Sequence, residues 1–134
     1  MKSSQQKGVK HLTVFAFSCD NKARPSDEVN GLIHLFSECV KTYLEEMHEQ
    51  GVRICFIGDL QKLDPGLYGC ALNAKHKTQN NSGLILTIAI NFSGKWHILE
   101  TTKRLLAQKA VPSDAAIQNA FQSLLPSNPD VLIR

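Results

Sequence analysis

"GLILTIAI", residues 83–90, is apolar at almost every position rather than at every second one. A strand with one wet face alternates apolar and polar side chains, so this run reads as a strand buried on both faces. "HLTVFAF" (11–17) and "VRICFIG" (52–58) read the same way, being short and rich in β-branched and aromatic residues. "PDVLIR" (129–134) closes the chain with the triplet Val131, Leu132 and Ile133. Strands are therefore expected near 11–17, 52–57, 83–90 and 130–133.

Helical patterns lie between them. In "SDEVNGLIHLFSECVKTYLEEMHEQ" (26–50), Val29, Leu32, Ile33, Phe36, Cys39, Val40, Tyr43, Leu44 and Met47 recur at three- and four-residue steps. The spacing predicts a helix over 26–50 that buries Val29, Ile33, Phe36, Val40 and Leu44. Asp27 and Glu28 suit its positive end, and Gly51 is a natural stop. Leu67, Ala71, Leu72 and Ala74 suggest a second helix, weakened by Pro65, Gly66 and Gly69. A third is expected over 95–109, with Ile98, Leu99, Leu105 and Leu106 on its apolar side, and a fourth over 113–125, capped by Ser113 or Asp114. Strands apolar on both faces that alternate with helices imply one α/β domain over 1–134, a parallel β-sheet flanked by helices on both sides.

The totals exclude several classes. The net charge is +3 and the 15 Lys and Arg are scattered, so charge gives no support to nucleic-acid binding. No apolar stretch is long enough for a signal peptide or a membrane span, which points to a soluble cytoplasmic protein with at most peripheral membrane contact. Cys19, Cys39, Cys55 and Cys70 form no CxxC pair, and His11, His34, His48, His76 and His97 form no metal-binding spacing. Cys39 and Cys55 sit in apolar runs and read as reduced thiols acting as small hydrophobes.

Ligands of open parallel sheets bind beyond the carboxyl ends of the strands. There the first strand runs into "SCDNKARP" (18–25), the second into Gly58-Asp59, the third into "NFSGK" (91–95), and the last into Arg134. Arg24 and Arg134 carry planar, permanently charged heads suited to phosphate oxygens. A solvated arginine, a turn-forming Asn21 or a turn hydroxyl at Ser18 is the plain alternative for each residue taken singly. Their collection on one edge favours a site.

Five segments resemble the cis-prenyltransferases in order and spacing: "GVKHLTVFAFSCDNKARP", "EVNGLIHLF", "GVRICFIGD", "NNSGLILTIAINFSGK" and "PDVLIR". Within that family the undecaprenyl diphosphate synthase group is the best match. The resemblance implies condensation of isopentenyl diphosphate with an allylic diphosphate such as farnesyl diphosphate, giving cis double bonds. It also implies a parallel sheet around a hydrophobic tunnel, magnesium (Mg2+) as cofactor, and a homodimer. By position, Ser18 and Asn21 match the Ser and Asn of the Ser-x-Glu-Asn-Trp-x-Arg-Pro motif and are the implied catalytic residues, the Asn in proton removal. Ser18, Cys19, Asp20, Lys22, Arg24 and Arg134 are the implied substrate-binding positions. Val52, Ile54, Leu84, Leu86 and Ile88 match strand positions that face the tunnel.

The match is to the family's central segment. The Asp-Gly-Asn segment upstream and the Thr-Ser-Gly-Glu and distal Glu downstream have no counterpart here, so the magnesium ligands are not expected in this chain. Asp20 stands for Glu, Lys22 for Trp and His97 for an acidic residue, while Ser93 and Lys95 alter the Tyr-Gly-Gly-Arg turn. Two readings follow. One is a prenyltransferase of the undecaprenyl type, inactive as this chain alone. The other is an inactive truncated homologue, or a subunit associated with a full-length relative, that keeps the fold and a weak diphosphate or isoprenoid pocket.

Overall fold

Three strands carry the apolar runs: β1 (His11–Ser18), β2 (Arg53–Ile57) and β3 (Ile85–Phe92). The structure, a computed structural model, describes residue 4 and residues 6–18, 26–108, 111–125 and 127–133, without the side chains of residues 17 and 26–30. Both strand pairs are parallel, in the order β1-β3-β2, which puts the most apolar strand in the middle. Leu86, Ile88 and Ile90 on one face of β3 and Thr87, Ala89 and Asn91 on the other are all buried, as the continuous apolar run requires.

The chain leaves β1 for α1 (Ser26–Glu49), crosses to β2, and passes a short 3-10 turn (Leu60–Lys62) into α2 (Pro65–Thr78) before entering β3. Gly51 ends α1 as expected. Its φ is +70°, its N–H donates to His48 O at 2.9 Å, and the Val52 N–H donates to Met47 O at 2.9 Å. This paired arrangement closes the last helical carbonyls and uses the left-handed conformation that glycine adopts freely. At the start of α2, Asp64 Oδ2 accepts from Gly66 N at 2.8 Å and Leu67 N at 3.2 Å. Pro65 follows at the first helical position, where its missing N–H costs nothing, so the residues that weaken the sequence pattern form a helix start.

Val40 and Leu44 of α1, Leu67 and Ala74 of α2, Val52 and Ile54 beside and within β2, and Leu84, Leu86, Ile88 and Ile90 form one core. Ile33 and Phe36 are half-buried against it. The apolar stripe of α1 is narrower than its spacing predicts, since Leu32, Cys39 and Tyr43 are exposed; the side chain of Val29 lies outside the described residues. Cys39 is thus not the buried hydrophobe expected, whereas Cys55 is half-buried and both are free thiols.

Contacts divide the chain into two compact units, Met1–Phe92 and Ser93–Arg134. The second contains α3 (Gly94–Leu106) and α4 (Asp114–Gln122). Ser93 Oγ accepts from Trp96 N at 3.2 Å and Ser113 Oγ from Ala116 N at 3.3 Å, so each helix has a serine N-cap. The least exposed stripe of α3 is His97, Thr101 and Leu105, at four-residue steps, while Ile98, Leu99 and Leu106 are exposed, contrary to the expected apolar side. His97 explains the rotation: its ring lies edge-on to Phe121 with centroids 5.6 Å apart, and Nε2 donates to the Phe121 carbonyl at 3.0 Å.

The fourth expected strand does not form. Val131, Leu132 and Ile133 carry no strand structure and are 75%, 72% and 88% exposed. Three β-favouring residues register as a strand only where a neighbour supplies ladder hydrogen bonds, and residue preference cannot supply that neighbour.

Candidate functional site

The carboxyl edge of the sheet is built differently on its two sides. On the β2 side the strands are clamped beyond the last ladder pair, Ile57 with Ala89. Gly58 has φ +122°, and a Cβ there would collide with the Ile90 carbonyl. The Asp59 N–H donates to Asn91 O at 3.2 Å, and Asn91 Nδ2 donates back to Asp59 O at 2.9 Å. Asn91 itself is left-handed at φ +49°, a region that asparagine tolerates better than most residues. The Asp59 carboxylate is held by Lys62 at 2.8 Å.

On the β1 side the ladder loosens. Phe15 pairs with Ala89 but Phe17 pairs with Ile90, so Ala16 is an extra residue in a bulge, and Ser18 then pairs with Phe92. A bulge bends its strand and increases the local twist. Ala16 has only a methyl to fill the space, and a cavity of about 250 Å3 opens there.

Ala16 and Ile90 form its sheet wall, and Ile33, Phe36 and Cys39 of α1 face them. Leu63 and Leu67 close one side, with Leu32 and Leu35 toward the rim. Apart from the Cys39 thiol the lining side chains are hydrocarbon, so the cavity offers water almost no hydrogen bonds and suits an apolar chain. Cys70, one helical turn beyond Leu67, is structural: burial pushes its thiol up, and Sγ lies 3.8 Å from the Ser37 carbonyl.

Ser18 lies at the end of β1, half-buried, beside this cavity's sheet wall. Cys19, Asp20, Asn21, Lys22, Arg24 and Arg134 lie outside the described residues. Val52, Ile54, Leu84, Leu86 and Ile88 come together in the core, and none of the five lines the cavity; the next residue of that β3 series, Ile90, does. The spacing of α1 points to Ile33 and Phe36, but nothing periodic marks Leu63, which follows the 3-10 turn, or Ala16, which is visible only through the bulge. No group of three or more His, Cys, Asp or Glu able to hold a metal occurs among the described residues.

The family model described as "Putative undecaprenyl diphosphate synthase" matches residues 1–134. The chain belongs to the undecaprenyl diphosphate synthase family. It is 36% identical over 136 residues to a farnesyl-diphosphate-specific ditrans,polycis-undecaprenyl-diphosphate synthase of Coxiella burnetii, covering 96% of this chain and 57% of that protein. It is also 36% identical over 141 residues to an isoprenyl transferase of Clostridium perfringens, covering 100% and 56%. The chain thus spans a little over half the length of these curated relatives. Among solved structures, a probable undecaprenyl diphosphate synthase from Campylobacter jejuni superposes with TM-score 0.83 at 26% identity, over 90% of this chain and 58% of that one. The fold is also that of lavandulyl diphosphate synthase from Lavandula x intermedia, solved with dimethylallyl diphosphate, at TM-score 0.82, 23% identity and 89% coverage of this chain.

Proposed function

We propose that the chain serves the condensation of isopentenyl diphosphate with an allylic diphosphate, farnesyl diphosphate by analogy with the Coxiella relative, and that the cavity behind Ser18 holds the allylic hydrocarbon. The cavity is the observation that carries this reading. It combines a hydrocarbon lining with a position at the carboxyl edge, where the polar run 18–25 begins. Each buried methylene contributes about 0.8 kcal/mol, so a five-carbon unit seated there gains about 4 kcal/mol. That gain draws the growing tail inward and leaves the diphosphate at the wet rim. A dry wall also protects the allylic cation character of the reaction from capture by water.

In this reading Arg24 and Arg134 hold diphosphate oxygens, Ser18 and Asn21 act at the proton-removal step, and Cys19, Asp20 and Lys22 border the head group. Magnesium is the cation the family resemblance implies. The described residues assemble no ligand set for it. The same reading places the protein in the cytoplasm, as a homodimer or beside a full-length relative. No described helix is long and apolar enough to cross a membrane.

The deciding experiment offers the purified chain farnesyl diphosphate and labelled isopentenyl diphosphate with magnesium. Solvent-extractable polyprenyl product supports the reading. Binding of the farnesyl chain without product reduces the protein to a retained pocket, and absence of both shows that the cavity is not a hydrocarbon site.

A further inference from the structure

A regular β3 would send Phe92 into the mouth of the cavity. Side chains on a strand alternate, so Ile88, Ile90 and Phe92 should share a face, and Ile90 lines the cavity. Phe92 does not line it. Its ring instead meets that of Phe15, with centroids 5.8 Å apart and planes at 59°. Phe15 is in register with Ala89, on the face opposite Ile88 and Ile90. Between Ile90 and Phe92 stands Asn91, the one described non-glycine residue with positive φ.

We infer that Asn91 is a positioning residue that keeps the cavity mouth clear: its left-handed backbone reverses the alternation of β3 and turns Phe92 onto Phe15. The conformation is held by the exchange of hydrogen bonds with Asp59 and by the close approach of Gly58 to the Ile90 carbonyl. Asn91 is 2% exposed, so its end of the clamp lies inside the fold. An unstrained β3 would leave an aromatic ring between Ala16 and Ile90. The strain at Asn91 thus coincides with a site, as stored backbone strain commonly does. The inference rests on the cavity's being the hydrocarbon site of the proposed function, but its test needs no turnover.

Farnesol, which has the hydrocarbon chain without the diphosphate, is the probe, with titration calorimetry for uptake and proton–proton NOEs for ring positions. Glycine accepts positive φ and valine resists it. Asn91→Gly should therefore bind farnesol within about twofold of the unaltered chain and keep the Phe15–Phe92 NOEs, whereas Asn91→Val should bind at least about tenfold more weakly. In Asn91→Val, Phe92 should show NOEs to Ile90 and Ala16, and Asn91→Val/Phe92→Ala should recover binding. Unchanged binding in Asn91→Val, no recovery in the double variant, or loss of the Phe15–Phe92 NOEs in Asn91→Gly overturns the inference. If Asn91→Val does not fold, the Asn91→Gly result decides. If the unaltered chain takes up no farnesol, the hydrocarbon-site reading falls, and the ring NOEs still decide whether Asn91 directs Phe92.

Discussion

The two outer strands of the sheet have opposite surroundings. On β2 the edge facing away from β3 is sealed by side chains: Ile54 N–H donates to Thr78 Oγ1 at 2.9 Å, and Asn81 Nδ2 donates to the Val52 carbonyl at 2.7 Å. The Thr78 hydroxyl itself donates to Ala74 O at 2.8 Å, so α2 ends by satisfying the strand beside it. On β1, by contrast, Phe15 is 66% exposed and the ladder is broken by the Ala16 bulge. One outer strand thus has its free edge covered by side-chain hydrogen bonds, and the other carries the bulge that opens beside the cavity.

The strongest way to break this contrast is at Gly58. A methyl there meets the Ile90 backbone carbonyl, which no rotamer change can move, and positive φ adds strain. Gly58→Ala should cost about 4 kcal/mol in urea unfolding, combining backbone strain with a forced shift of the strand. A loss below about 1 kcal/mol would show that the β2–β3 junction yields. Next comes a matched pair in the two strands. Ile54, 2% exposed, should cost about 3 kcal/mol when cut to alanine. Phe15→Ala should cost about 1 kcal/mol, the scale of one aromatic pair on a wet surface. Equal losses would remove the distinction between the two sides.

Thr78 covers the outer edge of β2. Thr78→Val keeps the shape but strands the Ile54 N–H in a dry place, at about 2 kcal/mol. Thr78→Ser keeps the acceptor and should recover most of that loss. Amide exchange at Ile54 separates this effect from general loosening: it should quicken in Thr78→Val and remain slow in Thr78→Ser. Equal exchange in both would mean that the methyl, rather than the hydroxyl, matters.

The parts legible in the sequence are those where a residue's preference and its surroundings agree. Ile88 and Ile54 favour strands, and strands await them. Val40 and Leu44 fall on the inner line of α1. Pro65 and Gly66 read as helix breakers until Asp64 is seen accepting their turn's N–H groups. Val131 to Ile133 had the preference without the neighbour. The cavity was less legible than the core, because a hollow depends on what is missing: Ala16 opens it through a register skip, and Leu63 reaches it from a turn. Val52, Ile54, Leu84, Leu86 and Ile88, the strand positions the resemblance points to, belong to the buried core, and of these Ile88 is one strand step from Ile90 in the cavity wall. Asn91 could not be read in advance, since its positive φ comes from the junction with Gly58 and Asp59.

The smallest expected effect tests how α1 and α2 are joined at their surface. Lys77 of α2 forms an ion pair with Glu45 of α1. The lysine's hydrogen bond and then its charge hold the Glu45 carboxyl below the ordinary carboxylate range; slight desolvation opposes this, and His48 assists. A carboxyl whose folded pKa is depressed stabilises the fold above its unfolded pKa, and that contribution is lost as pH falls through the folded value. The unaltered chain should therefore lose stability on acidification more steeply than Lys77→Met between neutral pH and about pH 3, where carboxylates protonate. The difference should be slight and should shrink with added salt, because Glu45 is exposed and exposed pairs are well screened. Parallel acid profiles for the two proteins at low salt would show that the α1–α2 junction depends on its apolar contacts and that the pair adds nothing measurable to them.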